Sequence, residues 1–239
     1  MYEATNDAIV PLLVTEVAGT WKAATTVTLP SGASTGTNEA AFMRDVDCVS
    51  VGNCVAIGKY LDISNNPHDF ALTQVSGGAW TTRKLPSGIL SAQNGLPESL
   101  SCRSTSNCTM VGYEVANDNV VGVAWTETSG TWSSPAAFGS AAPGIVPQAV
   151  ACPDATTCIA VGNTGGDGLP AYAIETSGTW AAARTLSLPA LSPRAISGEL
   201  YSISCDTAAV CEAVGQFGGA GAALPQVAGA ATWSGGSWS

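Results

Sequence analysis

The sequence predicts an all-β fold, a β-propeller of four-stranded antiparallel blades, on three observations. A cysteine pair with C-x5-C spacing occurs four times, at Cys48/Cys54, Cys102/Cys108, Cys152/Cys158 and Cys205/Cys211, and a glycine follows each second cysteine by four residues, at Gly58, Gly112, Gly162 and Gly215. The first cysteines lie 54, 50 and 53 residues apart, a period that accommodates four short strands. A turn of the form Glu-Thr-Ser-Gly-Thr-Trp marks the other half of the unit, identical at 127–132 and 175–180 and looser at 16–21, 74–80 and 234–238. The stretches between these marks are rich in Val, Thr and Trp and lack helical periodicity, so no regular helix is expected.

The second unit shows how the elements follow from the residues. Residues 99–102 and 108–113 read as strands a and b, flanking the polar loop from Arg103 to Asn107. Residues 120–127 and 131–138 read as strands c and d, joined by a turn in which Gly130 supplies a positive φ. Leu-Pro-Ser-Gly at 29–32 and 85–88 and Ala-Pro-Gly at 142–144 punctuate the passages between units. Four cysteine hairpins stand against five Gly-Trp turns: residues 20–30 form a strand d without its own a and b, and the fourth unit lacks a full strand d. The two deficits cancel if N-terminal strands, including one at 9–16, complete the ring by pairing with the last blade, which removes exposed sheet edges. Four blades are therefore expected, with five blades or an open fragment of a longer array as alternatives. The boundaries are 1–37 for the closing strands and 38–89, 90–139, 140–189 and 190–239 for the four repeats, all in one domain.

Composition narrows the partners. Hydrophobic residues make up 46% and charged residues 11%, and eight basic against eighteen acidic side chains give a net charge of -10. With no basic run, a nucleic acid or anionic membrane surface is excluded as the main partner, while neutral or cationic ligands, glycans among them, stay open. No run of 18 apolar residues exists to insert into a membrane. Paired cysteines fit an oxidising compartment, hence an extracellular or cell-surface location. Residues 1–7 lack the basic and apolar regions of a signal peptide, which is expected of a mature or shortened exported chain.

With its Cys-x5-Cys-x-Ala-Val-Gly and Ser-Gly-Thr-Trp elements, the chain resembles the disulfide-stapled propeller-like repeats of secreted actinobacterial proteins over residues 38–239. That resemblance implies the fold and brings no activity with it. The turns are also similar, more weakly, to the Asp-box hairpins of sialidase-type propellers, but the aspartate is absent ahead of Gly130-Thr131-Trp132. The arginines at 44, 83, 103, 184 and 194 do not share a repeat position, so the sialidase activity is not carried over.

Several candidate sites follow. The cysteines are expected to form one structural disulfide within each hairpin rather than a metal or redox site, because zinc favours closer cysteines with added histidine and the reactive arrangement is C-x-x-C. The single histidine, His68, lies in a polar loop at 62–69 with Asp62, Asn65 and Asp69; these oxygens could serve calcium, but their spacing is not that of an EF-hand and a solvated turn is favoured. No metal and no cofactor is expected. Trp21, Trp80, Trp132, Trp180 and Trp238 recur once per unit and read as packing groups, whereas Trp125 and Trp233 fall outside that register and are candidates for stacking on a sugar ring. Four residues before each first cysteine stand Arg44, Glu98, Gln148 and Tyr201, dissimilar polar groups at one periodic position that strand a carries toward a central channel. The reading that follows is a non-enzymatic extracellular recognition or scaffold module for a glycan or protein. A propeller glycoside hydrolase or lyase and a structural segment of a larger adhesin or wall protein are the alternatives.

Overall fold

The computed structural model describes residues 2–3, 9–34, 41–88, 95–116, 119–138, 144–165, 168–186, 196–219 and 227–239. The linker at 142–144 falls partly, and Arg194 wholly, outside these residues. Among the described residues there is no helix, and the chain forms four consecutive antiparallel sheets, each in the order a-b-c-d. Strands a, b, c and d are Ala41–Ser50, Asn53–Leu61, Pro67–Gln74 and Thr81–Lys84 in the first sheet. In the second they are Leu96–Ser104, Asn107–Ala116, Asn119–Thr128 and the two pieces Thr131–Trp132 and Ala136–Ala137. The third has Ile145–Ala151, Thr157–Thr164, Pro170–Thr176 and the pieces Thr179–Trp180 and Arg184–Thr185. The fourth has Ile196–Thr207, Val210–Gly219, Val227–Ser234 and Ser237–Trp238. The all-β architecture of four-stranded propeller-type blades is thus the one the repeat predicts.

Each repeated residue has a local cause. The cysteines of a pair face each other across strands a and b in the first, second and fourth sheets. All four pairs are bridged within their own hairpin, Cys48 to Cys54, Cys102 to Cys108, Cys152 to Cys158 and Cys205 to Cys211. The c–d turns have two successive positive φ values, at Ala18/Gly19, Ser76/Gly77, Ser129/Gly130, Ser177/Gly178 and Gly235/Gly236. That is the type I′ geometry, whose twist matches the flanking strands. The glutamate ahead of the turn closes it: the carboxylates of Glu16 and Glu175 accept the N–H groups of Gly19 and Gly178. The glycine after each cysteine pair answers to a bulge. Strand a carries an extra residue at Arg44, Glu98, Gln148 and Tyr201, where the a–b register shifts. The shift lays strand a over strand b, so that a Cβ at Gly58, Gly112, Gly162 or Gly215 would run into the carbonyl oxygen of Phe42, Leu96, Val146 or Glu199 respectively.

The core lies between sheets. Val55, Ile57 and Leu85 of the first sheet pack on Met110, Trp125 and Trp132 of the second. Val111, Ala124 and Phe138 meet Val150, Ala160 and Trp180 of the third. Ile159, Val161 and Leu186 then meet Ala213, Phe217 and Trp233 of the fourth. The turn tryptophans Trp132, Trp180 and Trp238 belong to these clusters as packing groups, with Trp180 edge-on to Phe138 at 4.5 Å between centroids. Trp21, in the first turn of the chain, is 70% exposed.

Polar rungs tie successive strands a together. Asp45 and Asp47 accept the N–H groups of Leu100 (2.8 Å) and Cys102 (2.6 Å), and Ser99 and Ser101 accept those of Val150 (3.3 Å) and Cys152 (3.0 Å). These acceptors stand three and one residues before the first cysteine. The third sheet has Ala149 and Ala151 at those positions and offers no side-chain acceptor.

The N-terminal segment is the c–d half of a further unit. Leu12–Leu13 pairs with Thr25–Thr26 and Glu16–Val17 with Thr20–Trp21, in the register that Glu127 and Trp132 keep in the second sheet. Tyr2–Glu3 pairs with Ile9–Val10, where the end of a strand b would lie. The expected pairing of an N-terminal strand with the last blade is not made among the described residues: the fourth sheet ends at Ser237–Trp238. Instead Leu13, Val27 and Leu29 pack on Ala56, Phe70 and Leu72 of the first sheet, and Thr82 donates to the carbonyl of Thr28 at 2.5 Å. A neighbour in sequence costs less chain entropy to reach than the far end of the array.

Candidate functional site

The four bulge residues expected on strand a stand at equivalent positions in the four sheets, at the end of each sheet away from the disulfides. A bulge leaves its extra residue outside the ladder and re-aims its side chain, so these four are freed from the sheet by the same distortion. Arg44 forms an ion pair with Glu98, and its Nε donates to the carbonyl of Pro97 at 3.3 Å. The Arg44 side chain is 35% exposed and that of Glu98 8%. Gln148 donates to Oε1 of Glu199 at 2.8 Å, and Asn163 donates to the same oxygen at 2.7 Å. The Tyr201 ring is exposed.

Electrostatics links these groups across the array. Burial pushes the Glu98 carboxyl above the usual carboxylate range, Arg44 opposes that shift, and the negative charge of Glu199 adds to it. The Tyr113 hydroxyl is raised by burial and by the charge of Glu98. Tyr201 is raised by slight burial and then by the charge and hydrogen bonding of Glu199. The arrangement is a set of hydroxyl, amide, guanidinium and carboxylate groups that can exchange hydrogen bonds with a polar ligand.

Glu199, Asn163 and Tyr113 were not singled out from the sequence. The signal lay in the residue after each repeated glycine: Lys59, Tyr113, Asn163 and Gln216 occupy this position, one residue beyond the glycine on strand b. Beside the bulge position it forms a second tier that varies in an otherwise regular unit. Glu199 stands two residues before the bulge, where the other repeats carry Phe42, Leu96 and Val146.

Lys59 departs from its tier. It is buried, donates to the carbonyl of Gly95, and has its ammonium pKa lowered by burial against the opposing charges of Asp69 and Glu114. Asp69 is pushed up to about 6, first by burial, and its Oδ1 is sealed from solvent without a hydrogen-bond partner.

The cysteines form the expected staples within their hairpins. The second cysteine of every pair, Cys54, Cys108, Cys158 and Cys211, is buried, and the last three lie inside the clusters between sheets. The sulfurs that strand b carries point into these contacts, so they are core atoms that a ligand cannot reach. Cys48 alone of the first cysteines is exposed, while Cys102 and Cys205 on strand a and Cys152 just beyond it are half-buried.

Trp125 and Trp233 are not the exposed stacking groups expected from the sequence. They are 1% and 6% exposed, inside the clusters between first and second and between third and fourth sheets, and present no face to a sugar. Their side of strand c faces the preceding sheet, which covers them. The Asp62 to Asp69 loop is a hydrogen-bonded turn: Asp62 Oδ1 accepts the N–H groups of Ser64 (2.8 Å) and Asn66 (2.9 Å), and Oδ2 pairs with His68 Nε2 at 2.9 Å. These bonds hold the Asp62 carboxyl well below the usual range, His68 first among them. Among the described residues, no group of three or more His, Cys, Asp or Glu side chains is placed to hold a metal ion. A cleft of about 360 Å³ lies elsewhere, on the outer strands of the third sheet, lined by Tyr172, Ile174, Thr176, Thr179 and Arg184 among others.

No family model matches the chain, and a search of curated proteins finds no match. Among solved structures it is similar to YCF48 bound to D1 peptide, with a TM-score of 0.39 and 13% identity over 84% of this chain and 60% of that one. It is also similar to the catalytic domain of the Coprinopsis cinerea GH62 alpha-L-arabinofuranosidase, with a TM-score of 0.43 and 11% identity over 82% of this chain and 67% of that one. The chain thus spans less than two thirds of the first of these. Likenesses this slight carry no argument about function, and the fold rests on the strand order given above.

Proposed function

We propose that the chain is an extracellular recognition module that binds a hydroxyl-rich ligand, a glycan, at the end of the array where the bulge residues lie. The observation that supports this is the two-tier register: Arg44, Glu98, Gln148 and Tyr201 on the bulges, with Tyr113, Asn163 and Glu199 beside them, vary where the scaffold around them repeats. A ligand replacing water there would meet both donors and acceptors, the composition that pyranose hydroxyls require. The four disulfides fit the extracellular location. The test is a screen of the oxidised protein against a glycan array, followed by calorimetry on each hit. Saturable binding that weakens about tenfold in Glu199→Ala, the loss of a charge-assisted hydrogen bond, is the expected result. Absence of any saturable glycan would remove this reading.

A second reading, glycoside hydrolysis, is favoured by one observation: Glu98 senses the charge of Glu199, and the two stand in different surroundings, Glu98 buried and raised, Glu199 held by two amides. Paired carboxylates in unlike environments are what acid and base roles need. The ion pair with Arg44 works against it, because the guanidinium opposes the upward shift that an acid needs to carry its proton. Release of reducing ends by the wild type, lost in Glu98→Gln, would establish the second reading over the first.

A further inference from the structure

Each sheet inside the array is sealed by its neighbours, and equivalent positions show where a seal is missing. Two residues before the first cysteine, Leu100 and Val150 are each 5% exposed, but Val46 at the same place in the first sheet is 56% exposed. Three residues after the second cysteine, Ile57, Val111 and Val161 are each 0% exposed, but Val214 in the fourth sheet is 49% exposed. The fourth sheet also carries side chains at the rung positions that no following strand a meets among the described residues. Ser202 and Ser204 are exposed where Asp45, Asp47, Ser99 and Ser101 accept N–H groups from the next strand a. The N-terminal unit contributes strands c and d, and beyond Tyr2–Glu3 the b-facing edge of residues 12–17 has no strand beside it among the described residues.

We propose that these features are the walls of one slot, and that its occupant is a disulfide-stapled a–b hairpin of this same repeat type. Its strand b would extend the N-terminal strands by pairing with residues 12–17, main chain to main chain. The apolar residue three after its second cysteine would cover Val46, as Ile57 covers Leu100 within the chain. A hydroxyl or carboxylate side chain before its first cysteine would take the N–H group of Cys48, that of Val46 being held by Asp45 at 2.8 Å, and its own N–H groups would reach Ser202 and Ser204. A second copy docking with a complete sheet does not fit. The outer half of the first sheet is already covered by Leu13, Val27 and Leu29, which leaves room for two strands beside it rather than four.

The probe is a synthetic oxidised peptide of residues 95–116, the second sheet's own a–b hairpin, which carries Cys102, Cys108, Ser99 and Ser101. Calorimetry against the full chain should give saturable one-to-one binding. Affinity should fall about tenfold in Val46→Lys and again in Val214→Lys, since each places a charge in a sealed apolar contact. Both valines are exposed in the free chain, so circular dichroism and melting temperature of the unliganded variants should match the wild type. A peptide with both serines replaced by alanine should bind more weakly. The proposal is overturned if no binding is seen up to about 200 μM peptide, far above the affinity of a stable interface. It is equally overturned if both lysine variants bind like the wild type, or if the free chain sediments as a dimer that Val46→Lys dissociates.

Discussion

Asp69→Asn tests the balance of forces at the junction of the first and second sheets. Asp69 stands opposite Lys59 across strands b and c, and burial outweighs the attraction of that lysine, because the carboxyl is raised from 3.8 to about 6. The sign follows from where the proton is held more tightly. Folding favours the protonated acid, so this group contributes stability below pH 4 that is lost as pH rises through 6. A shift of about two units corresponds to about 3 kcal/mol between the two plateaus. Asparagine keeps the shape without the charge and should recover most of that at pH 7, about 2 to 3 kcal/mol, while matching the wild type near pH 4. For a chain of this length the gain is about 8 °C in melting temperature. Thermal unfolding followed by far-ultraviolet circular dichroism from pH 4 to 7.5 measures the difference between the two proteins, which cancels the other carboxylates. A variant less stable than the wild type at pH 7 would refute the reasoning, since it would mean that the attraction to Lys59 exceeds the cost of burial.

Gly112→Ala should cost about 3 kcal/mol, seen as a lower urea midpoint, because its Cβ meets the fixed carbonyl of Leu96 rather than a movable side chain. Gly130→Ala meets no atom and should cost only about 1 kcal/mol, the backbone penalty of a positive φ. Replacing Cys102 and Cys108 together by serine should lower stability by about 2 kcal/mol, the loop-closure entropy of a short hairpin, without changing the circular dichroism spectrum.

The blade architecture was legible because its determinants are local. A staple, a two-residue turn and a glycine under a bulge each act within one hairpin, and each recurs in register. The depth of the staples was not legible: Cys54, Cys158 and Cys211 are buried because other sheets and strands cover strand b, which spacing within a hairpin does not encode. The bulge itself was half legible. The position of Arg44, Glu98, Gln148 and Tyr201 stood out as variable, but that an extra residue frees these side chains from the ladder is a matter of pairing between strands. Glu199 was hidden because its importance comes from Gln148 and Asn163 on another sheet. Trp125 and Trp233 misled for the opposite reason. Falling outside the turn register looked like freedom, whereas strand alternation pointed them into the neighbouring sheet. Ring closure could not be read from strand counts, because the N-terminal half-unit packs on an apolar match in the first sheet, which counting strands does not reveal.

The rungs between inner strands weaken along the chain, from two aspartates to two serines to two alanines, while the apolar contact at the last junction is rich in aromatic rings, with Tyr172, Trp233 and Trp238 within 6 Å of one another. Hydrogen bonds fix the lateral position of one sheet on the next; ring contacts tolerate sliding. The lateral lock between the third and fourth sheets therefore rests on Glu199, held by Gln148 and Asn163, rather than on rungs, and the amides of Ile203 and Cys205, facing alanines, should exchange before those of Leu100, Cys102, Val150 and Cys152 when the array opens from its C-terminal side.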